Sequence, residues 1–353
     1  MISRMTPRNL KFDPARLRYN GIIGTGGIGS GKFFVLNGDH TLGREESRSG
    51  HFLDINDYCK QHIILHYVKV LLGQSFEVIP VGKVGNDDTG QVLYNEMSET
   101  GFEMKLIQKE PNVSTLFSFC FYYPDGSGGN LTTDNSASSK VDAGYIERAI
   151  PEIEGLGPKG IIMAAPEVPF DARERLIELG KHYGLFCTAS FTTGEIAELL
   201  SSDLVDKIDL IAINSDEAAA VAGMQNDTND TLAVVRMAVQ KLMLHNRNIM
   251  VSVTAGKDGS WCWDGTTLNR FPAVAADVVS TAGAGDAFFS GIISGLALGL
   301  TLFEAQELAS LVAGLSVCSK DTIHQGVDRL SLNQYLRNSG MDISNIILKL
   351  LEE

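Results

Sequence analysis

From about residue 143 onward, short apolar runs alternate with longer segments whose apolar positions recur at helical spacing. The runs at 160–164, 185–188 and 210–213 read as strands, and the segments at 171–183, 193–200 and just after 213 read as helices. Strands and helices of these lengths in alternation predict parallel βαβ units wound into one sheet. In such a sheet, ligands bind at the carboxyl ends of the strands, so chemistry is expected in the loops that follow them. Upstream, 21–36 carries β-prone ends around a glycine-rich centre, 58–72 is helical and 76–80 is a strand. The aromatic stretch 114–130 ends in a turn at Pro124-Asp125-Gly126 and predicts a β flap. Downstream come a strand at 249–254, a hairpin around Asp264-Gly265 and a strand running into Val279. A glycine-rich turn then leads into a helix with Phe289, Ile292, Ile293 and Leu296 on one face.

Composition narrows the function classes. The 353 residues are 44% hydrophobic with a net charge of −14, which suits a globular protein and argues against nucleic acid or an anionic membrane as partner. The longest apolar stretch, 287–300, is broken by Ser and Gly and is too short to span a bilayer, so no membrane segment is expected. Basic residues near the N-terminus have no apolar run behind them, which excludes an ordinary secretory signal. Five scattered cysteines without a CxxC pair predict reduced thiols and a cytoplasmic setting. His62 and His66, at i and i+4, read as a helix face.

The chemistry concentrates in Ser280-Thr281-Ala282-Gly283-Ala284-Gly285-Asp286, between a β-prone segment and a helix. Small residues let an anion approach the backbone, and the N–H groups of Gly283, Ala284 and Gly285 stand at the positive end of the helix dipole. Asp286 beside such an anion hole would be unfavourable unless it accepts the proton of an attacking hydroxyl. The run Gly26-Gly27-Ile28-Gly29-Ser30-Gly31-Lys32 fits a P-loop spacing, but Phe33 stands where a Mg²⁺-binding hydroxyl belongs, and the continuation is strand-like. Its glycines are expected to line the acceptor side or to make the bend from core strand into flap.

Gly283-Ala284-Gly285-Asp286 resembles the GAGD signature of the PfkB carbohydrate kinases. Three further motifs follow the family order. Gly85 to Gly90 resembles GxDxxG, Asn214 to Glu217 resembles NxxE, and Thr254 to Gly259 resembles TxGxxG. The resemblance spans roughly residues 20–335. It implies a ribokinase-like three-layer α/β/α fold with a central, mostly parallel sheet and a small β lid, here expected at about 31–50 and 104–135. That kinase domain is expected over 21–340, after a leader at 1–20 and before a C-terminal helix or tail at 341–353. The activity implied is transfer of the γ-phosphoryl group of ATP to a hydroxyl of a sugar or sugar-like acceptor. Asp286 is then the base, and Gly283, Ala284 and Gly285 form the anion hole. Asn214, Thr254, Gly256, Gly259 and Ser310 meet the nucleotide, and Glu217 holds Mg²⁺ through water. A nucleoside kinase, or a non-catalytic sugar or nucleotide sensor on the same fold, remains the alternative.

The departures from the family fall on the acceptor side. Glycines replace the usual N-terminal Asn and Asp, and the nearest carboxylate is Asp39. Ser49-Gly50 to Asp54 stands for the family's GG…N, and Ala189-Ser190-Phe191 stands for its DxNxR. Asp39, Gly50, Asp54 and Arg44 are accordingly the acceptor-side candidates. Homodimerisation through the lid is a further implication of the resemblance.

Overall fold

The computed structural model describes residues 7–125, 127–224 and 230–352. Its strands are β1 (Gly21–Thr25), β2 (Gly29–Leu36), β3 (Gly50–Phe52), β4 (Asp57–Tyr58), β5 (Glu77–Gly85), β6 (Ile107–Glu110), β7 (Leu116–Tyr122), β8 (Gly128–Thr132), β9 (Gly160–Ala164), β10 (Phe186–Ser190), β11 (Leu210–Asn214), β12 (Met250–Thr254), β13 (Ser260–Trp263) and β14 (Leu268–Phe271). Nine of them form the main sheet in the order β14-β13-β12-β11-β10-β9-β1-β5-β6. Pairing is parallel from β12 through β6, and the β13–β14 hairpin closes one edge in antiparallel fashion.

The central strands β1 and β9, GIIGT and GIIMA, are buried at every position. Strands covered on both faces read as such unbroken apolar runs. Adjacent residues point to opposite faces, so Ile23 and Ile162 enter one core with the helices Phe170–Tyr183, Ser215–Ala222 and Thr231–His245. Ile22 and Ile161 enter the other, with Lys60–Leu72, Ala284–Ala297 and Leu302–Ser316. The result is the three-layer arrangement expected from the alternation of segments.

A second sheet stands off the first as the lid, with order β3-β2-β7-β8 and β4 paired to β2. Three boundaries differ from the sequence reading. Residues 107–110 form β6 and pair with β5 at the main sheet's edge, so the lid's second part begins at Leu116. The described part of the N-terminal leader is packed into the body: Leu10 and Leu17 are buried, and the Leu10 and Lys11 N–H groups donate to the carbonyls of Leu71 and Leu350. The valines before the glycine turn form no strand. Val278 and Val279 are exposed in an irregular segment, and the Val279 and Ser280 N–H groups donate to Val317 O. Gly126, in the expected flap turn, lies outside the described residues, as do 1–6 and 353. No helix among the described residues is long and apolar enough to cross a membrane.

The loop after β10 is held by an unexpected residue. Arg173 is fully buried, ion-paired to Glu195, with its guanidinium 5.3 Å from the ring centroids of both Phe170 and Phe191. Glu195 in turn accepts from Thr192 N at 2.8 Å in a capping box. Replacing Arg173 by Ala leaves a cavity and a largely enclosed carboxylate without its partner. A loss of about 3 kcal/mol is expected in urea unfolding, and an unchanged midpoint would contradict this account.

Candidate active site

The functional side chains gather where the theory of parallel sheets puts them, at the carboxyl ends of the strands. Asn214 and Thr254 are the last residues of β11 and β12 and are register partners. Asn214 Oδ1 accepts from Glu217 N at 2.9 Å, and Glu217 Oε2 accepts from Asn214 N at 2.8 Å. The NxxE motif is thus a capping box that starts the helix Ser215–Ala222. It also serves the site, because both residues line a small cavity with Lys60 and Asp286. Burial pushes the Glu217 carboxyl up to about 7, against the pull of its backbone hydrogen bond.

Gly283 takes φ +79°, ψ −5° as the N-cap of helix Ala284–Ala297. The Ala284 N–H, expected to be free, donates to Thr281 O at 3.2 Å. The N–H groups of Gly283 and Gly285 have no such backbone acceptor among the described residues. Asp286, in the first helical turn, keeps 15% of its side chain exposed. Burial raises its carboxyl above the ordinary range, while the Lys60 ammonium, 3.5 Å from Oδ1, pulls it down. A cleft of about 940 Å³ runs from Asp286 past Gly283, Asn214 and Thr254 to Ser310. Gly256 and Gly259 also line it. The Ser310 hydroxyl donates to Gln306 O at 2.9 Å, so Ser310 offers its shape to the cleft more than a free donor. Asp87 of the GxDxxG motif has a structural task. It caps the helix Asp88–Thr100 and accepts from the Thr115 N–H and hydroxyl, tying β5 to the root of β7.

On the acceptor side the structure corrects the sequence reading. Asp39 and Arg44 are exposed on the 37–49 loop at the lid's outer end. Gly50 packs beneath the Phe34 ring on β2, where a side chain would collide with it. Asp54 lines an opening under the lid with Phe33 and Tyr122, which shares Val278 and Thr281 with the long cleft, and it pairs with Lys320 at 2.9 Å. Three residues that sequence reasoning missed stand at the centre instead. Lys60 opens the helix Lys60–Leu72. Glu167, just beyond β9, has the left-handed φ of +76° and accepts from Lys60 N at 3.2 Å. Burial lifts its carboxyl to about 7, with Lys60 opposing. Asp57 on β4 is buried beside Ser118 and Thr322 and is raised to about 6 by desolvation. The glycine run explains their positions. A Cβ on Gly27 would overlap Glu167, and one on Gly31 would overlap the Asp57 carboxylate. The chain bends at Gly26–Ile28 from β1 into lid strand β2, and no helix follows Lys32, which rules out a P-loop. The signal for Glu167 was Pro166-Glu167-Val168-Pro169, a carboxylate directly after a strand and between two prolines. His62 is buried beside Tyr58 and Phe102, and burial drives its pKa down to about 3.

Similarity to known proteins agrees with this geometry. The family profile "pfkB family carbohydrate kinase" matches residues 66–328. An ATP-dependent 6-phosphofructokinase of Thermoanaerobacterium thermosaccharolyticum is 27% identical over 251 residues, 67% of this chain and 71% of that protein. A deoxyribokinase of Salmonella typhi is 26% identical, covering 73% of this chain and 83% of its own length. Among solved structures, ribokinase from Giardia lamblia superposes with a TM-score of 0.76 at 17% identity, covering 89% of this chain and 99% of that one. Arabidopsis thaliana ribokinase complexed with ribose and ATP gives 0.72 at 18% identity, with 90% and 99% covered. The profile match begins after Lys60, so the glycine strand, Asp57 and Lys60 lie upstream of the residues it matches, while the structural superpositions extend over 89–90% of the chain. With a profile match over most of the chain and all four motifs inside the matched region, the chain belongs to the PfkB family of carbohydrate kinases, phosphotransferases with an alcohol group as acceptor.

Proposed function

We propose that the protein transfers the γ-phosphoryl group of MgATP to a hydroxyl of a small sugar-like acceptor, with Asp286 as the base. The observation that carries this reading is Asp286 itself, enclosed at the N-terminus of a helix and at the end of the long cleft. It takes the proton of the acceptor hydroxyl as the oxygen attacks the γ-phosphorus and the bond to the departing ADP breaks. The Gly283 and Gly285 N–H groups receive charge on the transferring group, at fixed positions that need no reorganisation. A magnesium ion fits the donor set: no group of three or more His, Cys, Asp or Glu among the described residues forms an all-protein cage, and Glu217 offers one buried hard oxygen ligand. Held by so few protein ligands, the ion would keep most of its waters. When bound, the ion would neutralise phosphate charge, with Glu217 and Asn214 orienting its water shell.

Asp57 and Glu167 hold the acceptor hydroxyls in this reading. Carboxyls near 6 and 7 are partly protonated at neutral pH and can both accept and donate. The left-handed backbone at Glu167 supports the assignment, because such strain in a residue other than glycine gathers at ligand-binding positions. The lid, closing through its inward face of Phe33, Ser118 and Tyr122, keeps water from the phosphoryl group. The test is a coupled ADP-release assay with MgATP against pentoses, hexoses, their phosphates and nucleosides. Turnover with a sugar-like alcohol is expected. Ligands that raise Tm across the whole panel without turnover would instead establish a sensor.

The lid's outer face carries Phe34, Phe52, Phe119 and Leu131 side by side, with Phe52 and Leu131 60% and 62% exposed. A second copy's lid is the occupant proposed for this aromatic face. Sedimentation should show a dimer that Leu131→Asp dissociates. A wild-type monomer at working concentration would overturn this.

A further inference from the structure

We infer that Lys60 is a further catalytic residue, whose ammonium leaves Asp286 in the reactive complex and binds the transferring γ-phosphoryl group. The inference rests on the phosphoryl-transfer reading above and assigns a task that none of the family motifs includes.

Position is the first argument. Lys60 is the first residue of a 13-residue helix, so its side chain projects from that helix's positive end toward the start of a second helix, Ala284–Ala297. Its Nζ stands 3.5 Å from Asp286 Oδ1, and the residue lines both the nucleotide cleft and the small cavity at Glu217. An acceptor hydroxyl bonded to Asp286 and a phosphoryl group over Gly283 and Gly285 must meet within reach of that ammonium. The main chain holds the residue in place, because Lys60 N donates to Glu167 Oε2.

Charge is the second. Asp286, Glu167 and Glu217 all favour the charged amine and raise its pKa, so it stays protonated at any working pH. It cannot serve as a proton acceptor. A lysine that only neutralised Asp286 would work against catalysis by making the base less basic. A side chain still 34% exposed, at the long end of an ion-pair distance, is free to exchange partners when a triphosphate arrives. The exchange frees Asp286 at the moment a base is required. In the step itself the hydroxyl proton passes to Asp286, the new O–P bond forms, the bond to ADP breaks, and Lys60 keeps all three of its protons.

The reading separates ATP from ADP, which allows a test without an acceptor. Calorimetric titration with Mg²⁺ and either β,γ-imido-ATP or ADP would be run on the wild type, Lys60→Met and Lys60→Arg. Lys60→Met should weaken the imido-ATP complex by ~10-fold or more and leave ADP within about twofold, and Lys60→Arg should recover most of the loss. Asp286→Asn, which releases the ammonium, should tighten imido-ATP relative to ADP, and the double variant should not. Equal effects on both nucleotides, or no effect on either, overturn the proposal. Should Lys60→Met fail to fold, the Lys60→Arg and Asp286→Asn titrations decide it. A wild type that binds neither nucleotide would instead overturn the phosphoryl-transfer reading itself.

Discussion

Replacing Asp286 by Asn is expected to lower kcat by at least ~10² while the protein stays folded and still binds nucleotide. Asparagine keeps the shape at the helix start and removes only the capacity to take a proton. Binding survives because the nucleotide cleft is made chiefly by the β11 and β12 ends and the irregular 272–283 segment, not by this carboxylate. The pH profile provides the matching measurement. Activity requires ionised Asp286, so it falls as pH drops through the pKa of that group. Burial holds the pKa above the ordinary carboxylate range and Lys60 limits the rise. The acid limb of kcat/KM should therefore lie above the usual ~3.9 of a free aspartate. Without the Lys60 charge it should move higher still. A variant with wild-type turnover would remove Asp286 from the base role, and an acid limb at the free-aspartate value would contradict its desolvation.

Gly283→Ala is expected to damage stability and catalysis together. The residue sits at φ +79°, a region that costs a side-chain-bearing residue about 1–2 kcal/mol. An added Cβ would also lie 2.6 Å from Thr322 O. Relief by shifting Thr322 propagates, since the Thr322 hydroxyl accepts from Tyr58 N at 2.9 Å and Thr322 N donates to Asn56 O. That displacement reaches Asp57 on the acceptor side while the anion hole deforms on the other. We expect a kcat loss of ~10² with a stability loss of about 1–3 kcal/mol. Gly265→Ala is the control. It has φ +97° and open space around it in the β13–β14 turn, so it should cost stability with little change in kcat. Equal kinetic effects from both substitutions would mean the Gly283 loss is only generalised destabilisation.

The strap between residues 54–58 and 319–322 gives these effects a route. Asn56 N donates to Asp321 Oδ1 at 2.8 Å and Lys320 pairs with Asp54, so the root of the lid is fastened to the segment that follows the helix Leu302–Ser316. Asp54 was singled out from sequence as an acceptor ligand. The structure gives it a second task, as an ion-pair partner of Lys320 in this strap. A charged residue near a glycine in the lid region looks the same in sequence whether it faces the pocket or crosses to a neighbouring loop.

What the sequence determined by itself is local. The unbroken apolar runs at β1, β9 and β11 demand burial on both faces, and that demand with the intervening helices is enough for a parallel sheet. The Gly283–Asp286 turn, the Asn214–Glu217 cap and the Thr254 loop are each one strand-to-helix or strand-to-turn unit. Each depends on neighbours within a few residues, so its resemblance to a family motif is legible in the sequence. Val278 and Val279 mark the limit of such reasoning. Their β propensity was overruled because Val317 O takes their segment's N–H groups and holds it along the cleft.

Only the tertiary structure decided which groups gather around Asp286. Lys60, Asp57 and Glu167 belong to segments as much as 110 residues apart in the chain, brought together because β1 lies between β5 and β9 in the sheet. Asp39 and Arg44, closer in sequence to the glycine run, follow β2 outward and end at the far tip of the lid. The glycines recorded that some group needed their space, since no Cβ fits beside Glu167 or Asp57. Which group it was depended on the crossovers of the sheet, a property of the whole fold that no local pattern carries.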